Sequence, residues 1–272
     1  MKRYKKKDDD EVLNNIKKVL ELRPSYGVPR VTAMINKERL QSGLKVYNKK
    51  RIERVMQVNG LTLSKSKLEG KIRGGTGKVE VLHSNTRWCT DGFEIKCFNG
   101  EKVYVVFTLD CADREAIHHI AKSSPIVKED VQELLLVSVL NRFYKTKAPR
   151  EIQLLSDRGL VYRSPATQQY AKQLNLKSCF TAAYSPYSNG MAEAFVNTIK
   201  RDYVYVNDCE NSEQTIKDLK TWILDYNENA PHSSLKMQSP RDFIRSRRSL
   251  AEGHELDASA ESGKQTGRLL LN

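Results

Sequence analysis

The stretch "RWCTDGFEIKCFNGEKVYVVFTLDC", residues 87 to 111, decides the fold class. Two apolar runs rich in Val, Phe, Tyr and Ile flank Asn99-Gly100, a strong short-range signal for a β-hairpin. Asp91 lies on the strand face of Cys89 and Phe93. If the hairpin closes on a two-residue turn at Asn99-Gly100, Asp110 shares that face, so register leaves both acids open. A third strand is expected near "REAIHHI". Downstream the pattern alternates: a helix over "VKEDVQELLLVSVLNRF", a strand "REIQLLSD" ending on Asp157, and a helix over "SPATQQYAKQLN" with Ser164 as cap and Pro165 at its first position. A strand "LKSCFT" follows, then helices over "GMAEAFVNTIKRD" and "SEQTIKDLKTWILDYNENA". A hairpin followed by alternating strands and helices predicts an α/β fold, a mixed sheet with helices on both faces.

Upstream, three short segments have helical periodicity: Val12, Leu13, Ile16, Val19, Leu20 behind a run of acids; Val31, Met34, Ile35 behind Pro29; and Ile52, Val55, Met56 between Asn48 and Asn59-Gly60. Three short helices with tight turns suit a helix-turn-helix unit. Its last helix carries Lys49, Lys50, Arg51 and Arg54, the candidates for a DNA groove. The chain's net charge of +13 is concentrated here: residues 1–78 hold 21 Lys and Arg against 8 Asp and Glu, and the remainder is balanced. A basic segment beside a neutral domain is a footprint for nucleic acid.

These readings divide the chain into a basic helical domain over residues 1–63, a Gly- and Lys-rich linker over 64–78, a catalytic domain over 79–248, and a tail over 249–272 expected to be disordered. Mean hydropathy is −0.59 and the longest aliphatic run spans only Leu134 to Val137, so no membrane span is expected. Five scattered cysteines without metal-ligand spacing suit a reducing cytoplasm and small core positions.

The chemistry rests on three acids. With about 100° per residue, Glu193 shares one helix stripe with Asn197 and Lys200, while Phe195 and Ile199 lie on the far side. Alone, that stripe is what any solvated face shows. Asp157 ends a strand, where sites in mixed sheets are built. Three acids gathered without a partner repel, and divalent metal reverses the sign.

"RWCTDG", "LLSDRG" and "SPYSNGMAEAFVNTIKRD" resemble the three acidic motifs of the DDE transposases and integrases. Thirty-five residues separate Asp157 from Glu193, the spacing typical of that superfamily. The match is closest to the OrfB-type transposases of bacterial insertion sequences, where a basic residue, here Lys200, follows the last acid by seven positions. "YGVPRVTAMI" and "YNENAPHSSLKMQSPRDF" resemble that family's two ends, so the likeness covers roughly residues 10 to 245. It implies an RNase H-like core that cleaves and joins DNA strands at the ends of a mobile element. It assigns Asp91, Asp157 and Glu193 as ligands of two Mg²⁺ ions, with Mn²⁺ able to substitute, and prefers Asp91 over Asp110. Lys200, with Asn197 and Arg201 on the same helix, becomes a DNA contact. It also implies a homo-oligomer on DNA, and fusion to or partnership with an upstream reading-frame product, in the cytoplasm near the nucleoid. A nuclease limited to hydrolysis, or a DNA-binding regulator without catalysis, is the alternative. A tyrosine recombinase is not, because no H-x-x-R arrangement accompanies a candidate Tyr.

Overall fold

The structure is a computed structural model that describes residues 6–63, 81–181 and 189–249. The expected linker and tail, and most of the "SPYSNG" loop, lie outside the described residues. Three helices open the chain: α1 (Asp9–Leu22), α2 (Val28–Gln41) and α3 (Lys49–Val58). Acidic Asp9, Asp10 and Glu11 occupy the first turn of α1, where the helix dipole favours negative charge. The Asn48 side chain caps α3 by accepting from the Lys50 N–H, and the chain leaves that helix through Gly60 at φ 68°. Val12, Ile16, Val31, Ile35, Ile52 and Met56 meet in a core private to these helices. Burial of each side chain contributes about 1.5–3 kcal/mol.

The larger unit contains β1 (Arg87–Lys96), β2 (Lys102–Asp110), β3 (Ala116–Lys122), α4 (Lys128–Phe143), β4 (Ile152–Ser156), α5 (Leu160–Arg163), α6 (Pro165–Gln173), β5 (Leu176–Phe180), α7 (Gly190–Asp202) and α8 (Ser212–Asn229), followed by a helix over residues 240–249. The strands form one sheet in the order β3-β2-β1-β4-β5. β1, β2 and β3 run antiparallel, whereas β4 and β5 add in parallel. One face buries Trp88, Val106 and Ile152 against Leu134, Leu135 and Val139 of α4. The other buries Cys89, Phe93 and Phe107 against Phe195, Ile199 and Tyr226 of α7 and α8. This is the mixed, two-sided RNase H-like arrangement that the motifs implied.

The hairpin register puts Asp91 and Asp110 on opposite faces of the sheet. The loop contains three residues, not two: the Cys97 N–H donates to the Glu101 carbonyl at 2.8 Å and the Gly100 N–H to the Cys97 carbonyl at 3.0 Å. Gly100 sits at φ 88°, a left-handed conformation suited to glycine, and closes a type of loop that carries one extra residue. Asp91 therefore opposes Phe107, and Trp88 opposes Asp110. A one-residue shift moves every side chain to the other face, so Asp110 points to the α4 side, away from Asp91.

The two units are pinned together. Arg23 pairs with Asp225 at 2.6 Å, Arg30 with Asp202 at 2.6 Å, and Lys37 with Asp242 at 2.5 Å. The Ser25 hydroxyl donates to Asp202 at 2.6 Å.

Candidate active site

The parallel pairing of β1 with β4 places Cys89 beside Leu155. Two residues further along each chain stand Asp91, within β1, and Asp157, just past the end of β4. Asp91 shares the strand face of Cys89 and Phe93, which α7 covers, and the charges of Asp157 and Glu193 act on it there. Asp157 follows the last residue of β4, and its Oδ1 accepts the Gly159 N–H at 2.9 Å. A Cβ at Gly159 would stand 3.0 Å from that same oxygen, so a larger residue would push the carboxylate aside.

Glu193 comes from the first turn of α7, where Ala192, Phe195 and Ile199 are buried and hold the helix against the sheet. The acid itself is exposed. Asn189, immediately before α7, is buried; its Nδ2 donates to Asp91 Oδ2 at 3.3 Å and its Oδ1 has no hydrogen-bond partner. Burial pushes the Asp91 carboxyl up to about 6; the negative charges of Asp157 and Glu193 add to the rise, against the lowering effect of the Gly92 N–H. Beneath them the buried Tyr162 hydroxyl lies 3.3 Å from Thr90 Oγ1, and burial raises it above the ordinary tyrosine value.

Among the described residues none of the three acids forms an ion pair, and no three donors are drawn in to ligand distance of a common point. What the elements assemble is an open group of hard carboxylate oxygens, one of them raised in pKa mainly by burial, beside an orphan amide oxygen. That donor set fits a divalent cation of the Mg²⁺ class and not a thiolate-seeking metal.

The other expected site residues are placed unevenly. Asn197 is exposed on the Glu193 stripe, while Lys200 is half-buried with its Nζ 5.7 Å from the centre of the Phe93 ring. Arg201 donates to both oxygens of Asp202, at 2.6 and 2.8 Å, and is tied into the interface between the two units. On α3, Lys49 and Lys50 are exposed, but Arg51 and Arg54 reach back to Asp9 at 3.2 and 2.9 Å. Arg158 Nε donates to the Thr181 carbonyl at 3.0 Å and joins the ends of β4 and β5. His118 and His119 are strand residues of β3, and burial lowers both pKa values, that of His119 to about 4. All five cysteines are free, and four are buried. The sequence reading missed Asn189 and Tyr162 as neighbours of the acids. Asn189 carried one usable signal, its place just ahead of a helix that bears an acid in its first turn.

Comparison with known proteins converges on one family. The family description "Integrase core domain" matches residues 82–186, a second of the same description matches 174–240, and "HTH-like domain" matches 7–67. The chain is 40% identical over 247 residues to the transposase InsD for insertion element IS2A/D/F/H/I/K of Escherichia coli, covering 90% of this chain and 82% of that protein. Transposase InsD for insertion element IS2-9 of E. coli strain K12 is also 40% identical, with 90% and 80% covered. Among solved structures, a chain of the simian T-cell lymphotropic virus intasome in complex with PP2A regulatory subunit B56 gamma shares the fold at a TM-score of 0.50 and 12% identity, covering 84% of this chain and 73% of that one. By sequence identity along most of its length, and by an integrase core domain behind an HTH-like domain, the chain belongs to the insertion-element transposases.

Proposed function

We propose that Asp91, Asp157 and Glu193 hold two Mg²⁺ ions, replaceable by Mn²⁺, and that the protein cleaves and joins DNA strands at the ends of its mobile element. One observation carries this reading: acids from three separate elements converge with no cation paired to them among the described residues, and burial, with the charges of Asp157 and Glu193 adding to it, raises the Asp91 carboxyl to about 6. Bound divalent metal would supply activation of a water or a 3′-hydroxyl and stabilisation of the leaving oxygen. The chain's own residues supply position. β1 carries Asp91, the end of β4 leads into Asp157, α7 brings the third acid, and the Asn189 amide orients Asp91. Lys200 offers a fixed positive charge for a DNA phosphate two turns along α7. Lys49 and Lys50 are the freest cations for a groove contact by α3, with Arg51 and Arg54 steadied by Asp9.

The domain limits at 1–63, 64–78, 79–248 and 249–272 belong to the same proposal. So do assembly of several copies on DNA, a partner or fusion from an upstream reading frame, and a cytoplasmic, nucleoid-associated location. Among the described residues no helix is long and apolar enough to cross a membrane.

The test uses duplex DNA carrying the element's own ends. Cleavage that requires Mg²⁺ or Mn²⁺, with joining of the cut 3′ end to a second duplex, is expected. Cleavage without joining would favour the hydrolytic nuclease, and binding alone the regulator. A second readout needs no activity: Mn²⁺ should raise the melting temperature of the wild type and not that of Asp157→Asn.

A further inference from the structure

A cleft of about 900 Å³ lies between the N-terminal helices and the catalytic unit. One wall is α7, through Gly190, Ala194, Thr198 and Arg201, a stripe centred about 100° around the helix from Glu193. Arg30, Arg114, Lys236 and Arg247 complete a basic lining with Arg201, and no Asp or Glu lines the cleft among the described residues. Asp202, next to the lining residue Arg201, is fully buried, and its oxygens are taken by Ser25, Arg30 and Arg201. Arg114, Lys236 and Arg247 form no ion pair among the described residues. Two buried polar atoms in the lining residues have no partner: His232 Nε2 and Arg30 Nε. Burial holds the His232 imidazole down at about 4, and the charges of Arg30 and Arg114 add to it, which registers the positive potential there.

We propose that this cleft is a second DNA site, separate from α3, which holds an unpaired strand by its phosphates alongside the catalytic acids. The inference rests on the transposase reading above. Charge selects the class of occupant: five guanidinium or ammonium groups with three of them unpaired call for a polyanion. Size selects a strand over a duplex. The volume falls within the roughly 300–1,000 Å³ of pockets that enclose small ligands, room for a nucleotide or two. Phe243, with the Arg247 guanidinium 5.0 Å from its ring centre, gives a flat surface on which a base can stack.

The experiment measures fluorescence anisotropy of the full chain with a labelled short single-stranded oligothymidylate, and with a duplex of equal length, in EDTA. Lys236 and Arg247 are exposed, so the pair Lys236→Ala with Arg247→Ala removes charge without opening the core. Single-strand affinity should fall about tenfold, and the slope of log affinity against log salt should flatten by about 1.4, two phosphates at roughly 0.7 each. The pair Lys236→Arg with Arg247→Lys should keep most of the affinity, which separates charge from damage to the fold. Lys49→Ala with Lys50→Ala should weaken the duplex and spare the single strand. Unchanged single-strand binding in the alanine pair overturns the proposal, as does an equal loss for both DNAs. The two readings fail separately. Normal metal-dependent cleavage with no cleft effect removes only the cleft, whereas loss of strand binding in a protein that never cleaves leaves the cleft standing and removes the transposase chemistry.

Discussion

Two groups of acids sit on opposite faces of the same sheet, and they have opposite surroundings. Asp110 is fully buried, yet each of its oxygens is satisfied. Oδ1 accepts the N–H groups of Ala112 and Asp113, and Oδ2 accepts those of Asn85 and the Trp88 indole. Arg142 stands 3.2 Å from Asp110 and 2.5 Å from Asp113, and also pairs with Glu115. Arg241 reaches Glu115 from the C-terminal helix at 3.0 Å. Asp91, Asp157 and Glu193 have backbone or amide donors at most and no cation. The first group holds strands and helices in place. The second is left short of positive charge, which is the state a metal site needs before it is loaded.

The largest expected effect tests the uncompensated group. Asp157→Asn or Glu193→Gln should lower Mg²⁺-dependent cleavage of element-end DNA on the order of 10³-fold, since metal stabilisation amounts to several kcal/mol. End binding in a gel-shift assay should persist. Wild-type rates in either variant would dissolve the distinction between the two groups.

The compensated group should answer in stability instead. Asp110→Asn leaves Arg142 paired with Asp113 and Glu115 but turns an amide NH2 toward N–H donors that the carboxylate accepted, at a cost of about 1–3 kcal/mol. Chemical denaturation should show the loss, and the protein that remains folded should still cleave. A stable but inactive Asp110→Asn would move Asp110 into the catalytic group.

A smaller effect has a definite sign. The folded Asp91 carboxyl titrates near 6, above its ordinary value of 3.8, so the metal-free fold prefers it protonated. Its charged form therefore destabilises the fold increasingly as pH rises from about 4 to 6, and the penalty stays constant above that. Asp91→Asn should stabilise metal-free protein by about 1 kcal/mol at pH 7, after solvent screening, and by nothing near pH 3.5. Thermal melts in EDTA at both pH values measure this. Equal melting shifts at the two pH values would mean that folding does not raise the Asp91 carboxyl.

The smallest effect concerns Lys200, whose position beside Phe93 keeps its charge near β1. Lys200→Ala should weaken end binding by a few fold and slow single-turnover cleavage, with Lys200→Arg intermediate. A larger loss in Arg201→Ala, despite its engagement with Asp202, would shift the DNA path toward the other side of α7.

Element types were legible in the sequence because periodicity reports which face is buried. Ala192, Phe195 and Ile199 placed α7, and the caps Asn48 and Ser164 fell where side-chain oxygens accept backbone N–H groups. Hairpin register was not legible. Asn-Gly suits both a two-residue and a three-residue loop, and only the left-handed Gly100 in the folded chain decides between them. The partners of the charges were equally hidden. Arg51 and Arg54 look like groove residues until α1 brings Asp9 against them, a contact across more than 40 residues that no local pattern encodes.

The ion pairs from Arg23, Arg30 and Lys37 to the catalytic unit have a metric consequence. If α3 reads sequence and the three acids cut, as proposed above, a pinned junction turns the protein into a ruler. The interval between the sequence recognised and the bond broken is then written in the protein, and an element whose ends drift by a few base pairs falls out of step with its own transposase.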